Sequence, residues 1–342
     1  MGKLSTPKKT RSIKRILISI LYHDLGIDLI KLLDKIKISK NDDLLIIFDN
    51  INDDSLNQLL KKKYKNIKLF FGSRKVKKVP YYRNIALKKA IPNYEILLFL
   101  DSDVLPCKNI VERHYNSHKK YIKIPLIAGS VKPSFLVNQK TFWEKIDGCM
   151  SWFCSLEPKK NMIVNYPYHL ATANIGMKVK FISENKIKFD NNLITGEDVD
   201  LCNKIRNLKK DIMITKNMWV IHQDRKKLNS FLEHQKNWGK HHYHLRYKNN
   251  ILFKKKYYLF YPLFFFFYPL LAPLISLAAT YYNMKALIKF KPNLINLSII
   301  IYLIYVYKSF YTYIELFIDL KSQKFKLFTF FNSNKIFLFY YK

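Results

Sequence analysis

From residue 16 to residue 101, short apolar runs alternate with stretches in which apolar residues return at helical spacing. Ile16 to Leu21 predicts a first strand, and Leu29, Ile30, Leu32, Leu33 and Ile36 then mark one face of a helix. Leu44 to Phe48 predicts a second strand. Asp53-Asp54-Ser55 can cap a following helix that carries Leu56, Leu59 and Leu60 on one face. Ile67 to Phe71 predicts a third strand, followed by a basic loop (Arg74 to Lys78), a helix from about Tyr82 to Ala90, and a fourth strand in "YEILLFLDSDVLP". This alternation predicts β-α-β units and a parallel sheet. Because the apolarity of these runs is continuous rather than alternating, they predict strands covered on both faces.

Three of these strands run straight into acidic residues: Tyr22-His23-Asp24, Asp49-Asn50 and Asp101-Ser102-Asp103. In open parallel sheets ligands bind at that carboxyl edge. The region 104–225 mixes loops with short strands such as Pro125 to Val131, and a helix should begin near Glu197.

After Gly239 the pattern changes. Tyr257 to Tyr282 is nearly uncharged and of membrane-spanning length, with Pro262, Pro269 and Pro273 arguing against a straight helix. Leu294 to Tyr307 is a second, shorter stretch, extended by an aromatic segment to Ile318. Two membrane passes, a re-entrant hairpin and buried core helices all fit. Lys254 to Lys256 and the lysine-rich tail favour a cytoplasmic amino-terminal domain and tail. Lys285, Lys289 and Lys291 blunt that argument, and would suit a hairpin lying in the membrane interface.

Composition modifies this picture in two respects. With 342 residues, 49% of them hydrophobic, the chain can build its core without disulfides, and Cys107, Cys149, Cys154 and Cys202 form no C-x-x-C pair. The 60 basic and 25 acidic residues give a formal charge of +35, which suits anionic lipid, nucleic acid or a polyanionic substrate. Abundant Lys, Asn, Ile, Phe and Tyr beside only 8 Gly is also the profile of A/T-biased coding, so the charge alone names no partner.

The candidate chemistry rests on position. Asp101 and Asp103 end a buried strand, where two close carboxylates repel unless a cation or hydrogen bonds compensate them. A hard divalent cation prefers such oxygen ligands; an ordinary Asp turn is the alternative. Asp198-Val199-Asp200 is a second D-x-D triplet. There Thr195, Glu197 and Asp198 fit equally well a helix start and a carboxylate poised as general base.

Five segments in order resemble a family-2 glycosyltransferase of the GT-A fold, of the membrane-associated bacterial type. They are the Asp49 ending of the second strand, "YYRNIALKKAIPNYEILLFLDSDVLP" at 81–106, "TANIG" at 172–176, "GEDVDLCNKIR" at 196–206 and "VIHQDRKKLNSFLEHQKNWGKHHYHLRYK" at 220–248. The resemblance implies an α/β fold with a mostly parallel sheet flanked by helices. It implies that Tyr22, Asp24, Asp49, Arg83, Asn84 and Asp101 bind a nucleotide-sugar donor, and that Asp103, with Asp101 and His222, holds Mg²⁺ or Mn²⁺. Asp198 is implied as the catalytic base, with Glu197 beside it. The lysine-rich segment before Arg83 departs from the pattern and leaves the donor open. Gln235-Lys236-Asn237-Trp238 lacks the arginine of the processive Q-x-x-R-W motif, so chain polymerisation is not expected. His241, His242 and His244 read as a surface helix or an acceptor-phosphate contact.

The resulting expectation is a basic tail (1–13), a GT-A-like domain (14–248), a membrane-associated or transmembrane helical region (249–320) and a basic aromatic tail (321–342). The enzyme would act at the cytoplasmic face of the inner membrane. It would pass a sugar, with inversion, to a lipid-linked or cell-envelope glycan acceptor, at an anionic membrane and with no nucleic-acid partner. Two rival readings are a nucleotidyltransferase with a similar metal site and a non-enzymatic basic membrane or nucleic-acid adaptor.

Overall fold

A computed structural model describes residues 13–22, 29–49, 54–64, 66–72, 78–136, 141–165, 169–243, 245, 261–289 and 291–322. The expected donor residue Asp24, residues 74–77 of the basic loop, the capping residue Asp53, His244, Lys254 to Lys256, and residues 1–12 and 323–342 of the basic tails lie outside these residues. In chain order the elements are β1 (Lys14–Tyr22), α1 (Leu29–Lys35), β2 (Asp42–Phe48), α2 (Asp54–Lys63), β3 (Ile67–Phe71), α3 (Val79–Ala90), β4 (Tyr94–Asp101), β5 (Val104–Pro106), α4 (Ile110–Lys120), β6 (Leu126–Pro133), α5 (Phe142–Trp152), β7 (Met162–Ile163), β8 (Asn174–Lys178), α6 (Val179–Glu184), α7 (Glu197–Asn207), β9 (Ile212–His222), α8 (Leu228–His242), α9 (Tyr261–Ile288) and α10 (Ser298–Ser322). The chain divides into two compact units: Met1–Lys132, Glu157–Asn191 and Leu201–Gln223 form the first; Pro133–Leu156, Asn192–Asp200 and Asp224–Lys342 form the second.

The first unit is a mixed sheet with the order β3-β2-β1-β4-β8-β6-β9-β5, and β7 added beside β9. Parallel pairing joins β1, β2, β3 and β4. Beyond β4 the pairs of β4 with β8, β6 with β8 and β5 with β9 are antiparallel. The parallel sheet read from the apolar runs is thus the amino-terminal half of a mixed one. β1, β2 and β4 are buried along nearly their whole length, because helices cover both faces. β3 is not: it is the edge strand, and Phe71 is 42% exposed. Side chains such as Ile16, Ile18, Ile20, Leu44 and Ile46 are fully buried. Each contributes about 2 kcal/mol relative to leaving it in water.

A polar seam runs through this core. Asn174 of β8 is fully buried, and its amide donates to the carbonyls of Ser130 (3.2 Å) and Met218 (3.1 Å), tying β8 to β6 and β9. Its Oδ1 accepts from His114 Nε2 of α4 at 2.8 Å. Gly129 permits the close approach, since a Cβ there would sit 1.7 Å from the Met218 carbonyl oxygen. The asparagine of "TANIG" therefore acts as a strut within the sheet.

The second unit contains α5, α8, α9, α10 and two short 3-10 helices, Ser134–Leu136 and Pro292–Leu297. Asp224 ties its segments together: its carboxylate accepts from the Ser134 N–H (2.9 Å), the Ser134 hydroxyl (2.7 Å) and Trp152 Nε1 (3.1 Å). α9 is one continuous helix with Pro269 and Pro273 inside it. Each proline removes a backbone hydrogen bond and crowds the turn before it, which a long apolar helix can accommodate without ending.

Burial of His114 pulls its pKa down to about 4, and burial lowers that of His118 as well. The native imidazole of His114 thus stays neutral while the unfolded one charges near pH 6.5. Its contribution is complete above pH 6.5 and is lost as pH falls from there through about 4, a change of about 3 kcal/mol. Urea midpoints recorded from pH 7 to pH 4 should show this decline, and His114→Gln should flatten it; an unchanged slope in the variant would exclude His114 as its source.

Candidate functional site

The site grows from the end of β4. Asp101 is the last residue of that strand, paired with Leu21 of β1, and a two-residue turn leads from it into β5. β5 lies antiparallel to β9 with Val104 opposite His222, and the Gln223 N–H donates to the Asp103 carbonyl at 3.2 Å. This short ladder brings a histidine from 119 positions along the chain onto the D-x-D turn. His222 Nε2 lies 3.2 Å from Asp103 Oδ1 and 3.7 Å from Asp101 Oδ2.

Three ligand atoms, one from each side chain, lie within 4.8 Å of one another. The 3.2 Å edge fits neighbouring ligands around a divalent cation, which stand about 3 Å apart when each bond is about 2.1 Å. His222 Nδ1 donates to the Gln223 carbonyl at 2.7 Å, which turns Nε2 toward the carboxylates. Outer hydrogen bonds of this kind orient metal-binding histidines. Two carboxylates and an imidazole are a donor set suited to a cation such as Mn²⁺.

Electrostatics support the same reading. Burial by itself would favour a neutral His222, yet the negative charges of Asp103 and Asp101 outweigh it and push its pKa up to about 9. In the metal-free protein the imidazolium thus supplies part of the positive charge that the carboxylates need. Arg83 supplies more: it is buried on α3, its Nη2 lies 3.4 Å from Asp101 Oδ1, and its guanidinium sits about 6 Å from the rings of both Phe99 (6.0 Å) and Phe189 (5.9 Å).

A second acidic pair, Asp42-Asp43, provides an internal contrast at the start of β2. Both residues are buried, and Asp43 is met by Lys14 (2.7 Å), Lys68 (2.8 Å) and the Tyr94 hydroxyl. Burial pulls its pKa up, but those hydrogen bonds hold it below the ordinary carboxylate value. Asp43 is thus satisfied by the protein alone, and the pair sits at the opposite edge of the parallel strands.

The other expected donor residues are placed as follows. Asp49 follows β2, where its N–H donates to the Tyr22 carbonyl at 3.0 Å, and the Tyr22 ring packs edge-on against Phe48. Tyr82, fully buried, is hydrogen-bonded to the Asp49 carboxylate, and burial together with that bond raises its pKa. Sequence reading passed over Tyr82, although it stands directly before Arg83. Asn84 turns toward structure: its amide donates to the Phe189 carbonyl (2.9 Å) and Asn191 Oδ1 (2.9 Å), and its Oδ1 accepts from the Phe189 N–H (2.9 Å).

Glu197 and Asp198 belong to the second unit, in the first turn of α7. Gly196, with φ of 79°, makes the turn into the helix, and a Cβ there would also strike Leu245. Asp198 Oδ1 accepts from the Val199 N–H at 2.8 Å, while Glu197 is largely buried. Of the three histidines near 241–244, His241 Nε2 accepts from the Ile194 N–H at 3.4 Å.

No protein-family model matches the chain, and neither does any curated protein. Among solved structures, TarS of S. aureus is 16% identical, with a TM-score of 0.44 over 66% of this chain and 39% of that one. GalNAc-T7, solved with UDP, GalNAc and Mn²⁺, is 15% identical, with a TM-score of 0.47 over 68% of this chain and 51% of that one. The matched regions thus span about half of those chains or less. Neither similarity is strong enough to transfer an activity.

Two outcomes are expected. Metal binding must displace the His222 proton, so the apparent affinity for Mn²⁺ should rise about tenfold per pH unit up to about pH 9. Calorimetric titrations in two buffers of different ionisation enthalpy would detect the released proton, and pH-independent binding would contradict this account. Asn84→Ala should cost about 2 kcal/mol of stability in chemical unfolding, because it strands the Phe189 backbone groups, while leaving Mn²⁺ affinity within about twofold.

Proposed function

We propose that this chain is a divalent-cation-dependent glycosyltransferase that moves a sugar from a nucleotide-sugar donor to a hydroxyl of a glycan or lipid-linked acceptor. The observation that carries the reading is the Asp101, Asp103 and His222 cluster at the carboxyl edge of the parallel strands, braced by Arg83. It stands in the same chain as the ordered motifs that resemble family-2 enzymes. A structural carboxylate would resemble Asp43, with its charge met by two lysines and a tyrosine; the D-x-D turn instead offers a converging ligand set.

Asp103 and His222 would hold the cation, Mn²⁺ more readily than Mg²⁺, because imidazole is a poor ligand for Mg²⁺. When bound, the cation supplies positive charge to the departing diphosphate. Arg83 fixes the Asp101 carboxylate so that it does not swing away when the cation leaves. The base is assigned to Asp198 from the resemblance. Its carboxylate takes the acceptor hydroxyl proton as that oxygen bonds to the anomeric carbon, while the bond from that carbon to the diphosphate oxygen breaks and nucleoside diphosphate departs. Attack from the face opposite the leaving group inverts the anomeric centre. Asp49 and Tyr22 support the nucleoside, with Tyr82 holding the Asp49 carboxylate.

A panel of nucleotide sugars should reveal one that releases nucleoside diphosphate only with Mn²⁺ or Mg²⁺ present. On that donor Asp103→Ala and Asp198→Asn should each lower turnover by about a hundredfold or more. Release of sugar phosphate in place of nucleoside diphosphate would indicate nucleotidyl transfer, and wild-type turnover in both variants would refute the assigned roles.

A further inference from the structure

Both α9 and α10 are long and apolar enough to cross a membrane, as Phe264–Ile288 and Pro292–Ile318. Within the most apolar 18-residue window of each, only 17% and 28% is buried, so neither is a core helix of the unit. What they pack against decides how they can meet a bilayer. α8 accompanies α10 closely. Phe231 shares a buried cluster with Ile301, Ile304 and Tyr305. At Gly239 the two backbones nearly touch: a Cβ there would lie 2.4 Å from the Lys308 carbonyl oxygen, and the Thr312 hydroxyl donates to the Gly239 carbonyl at 2.9 Å. Tyr243 then meets Leu316.

Twelve residues of α8 thus run beside α10, about 18 Å at the helical rise. α8 carries charge along this seam: Glu233 and Lys236 pair at 3.0 Å, the Lys236 ammonium lies 5.9 Å from the Tyr311 ring of α10, and Lys240 lies a turn further on. Were α10 to span a bilayer, these charges would enter the hydrocarbon, where each is strongly disfavoured. The shared cluster also includes Met284 and Leu287 of α9 together with Ile146 and Met150 of α5, so the far end of the hairpin is tied to the same body.

The faces turned away from α5 and α8 are uncovered and apolar. On α9 they carry Phe266, Phe267, Leu270, Leu274 and Leu277, and on α10 Leu303, Phe310 and Phe317 recur every seven residues along one stripe. The polar side chains point the other way: Ser276 meets Ser309 at 3.1 Å, and Asn283 donates to the Tyr305 hydroxyl at 3.0 Å. Lys285, Lys289 and Lys291 cluster at the turn between the helices, in a chain of net charge +35.

We propose that the α9–α10 hairpin is a monotopic anchor: it lies flat in one leaflet of an anionic bilayer, with its outer apolar face among the upper acyl chains and its lysines among the headgroups. The occupant is a lipid surface rather than a second protein copy, because the apolar face is bordered by lysines, which match anionic headgroups and would repel the same lysines of a copy.

The test is depth measurement on the full-length protein in phosphatidylcholine vesicles with and without phosphatidylglycerol. Fluorophores are attached, in a Cys154→Ser background, to Phe267→Cys, Leu274→Cys, Leu303→Cys, Phe310→Cys and Phe317→Cys, and quenched by lipids labelled at known depths. A flat anchor places all five at one shallow depth. A deepest point near the middle of each helix, with the ends at opposite headgroup levels, would overturn the proposal in favour of spanning. Cross-linking between copies without lipid quenching would overturn it in favour of a dimer face. Leu274→Glu with Phe310→Glu should lower vesicle binding by about tenfold or more while leaving the circular dichroism spectrum unchanged; undiminished binding would also overturn it.

Discussion

Two carboxylates delivered by one buried strand cannot stay close together uncompensated, and the arrangement around Asp101 and Asp103 answers that constraint. Arg83 reaches Asp101 from α3, and His222 reaches both carboxylates from β9. The His222 imidazolium holds its proton because the acids outweigh the effect of burial. The compensation is therefore exchangeable in part: Arg83 is permanent, whereas the His222 proton can give way to a metal ion. Asp43 shows what a permanently satisfied carboxylate looks like in the same sheet.

Much of the remaining first unit serves to hold that turn. β5 has only three residues, so its position depends on its ladder to β9, which depends in turn on the buried Asn174 strut and on Gly129. Asn84 clamps the chain around Phe189, whose ring lies by the Arg83 guanidinium. A residue expected at the donor thus supports the group next to it. The second unit follows a different logic. Its buried polar groups fasten α8, α9 and α10 to one another and leave a lysine-bordered apolar face outside.

Local pattern made β1 to β4 and the helices between them legible, because a buried parallel strand needs an unbroken apolar run and an intervening helix needs its own period. Lys68 is the one local sign of the edge exposure of β3, since the other three apolar runs carry no charge, but only strand order shows that this strand lacks cover.

The sequence by itself determined that Asp101 and Asp103 end a buried strand at the ligand-binding edge of a sheet, and that two apolar segments follow the globular part. Both are consequences of residue order within a dozen positions. The pairing of β5 with β9, which sets His222 against Asp103, was decided only in the tertiary structure. So was the seating of α10 on α8 through Gly239 and Thr312. Each depends on contacts between residues scores of positions apart, and hydrophobic periodicity carries no information about them.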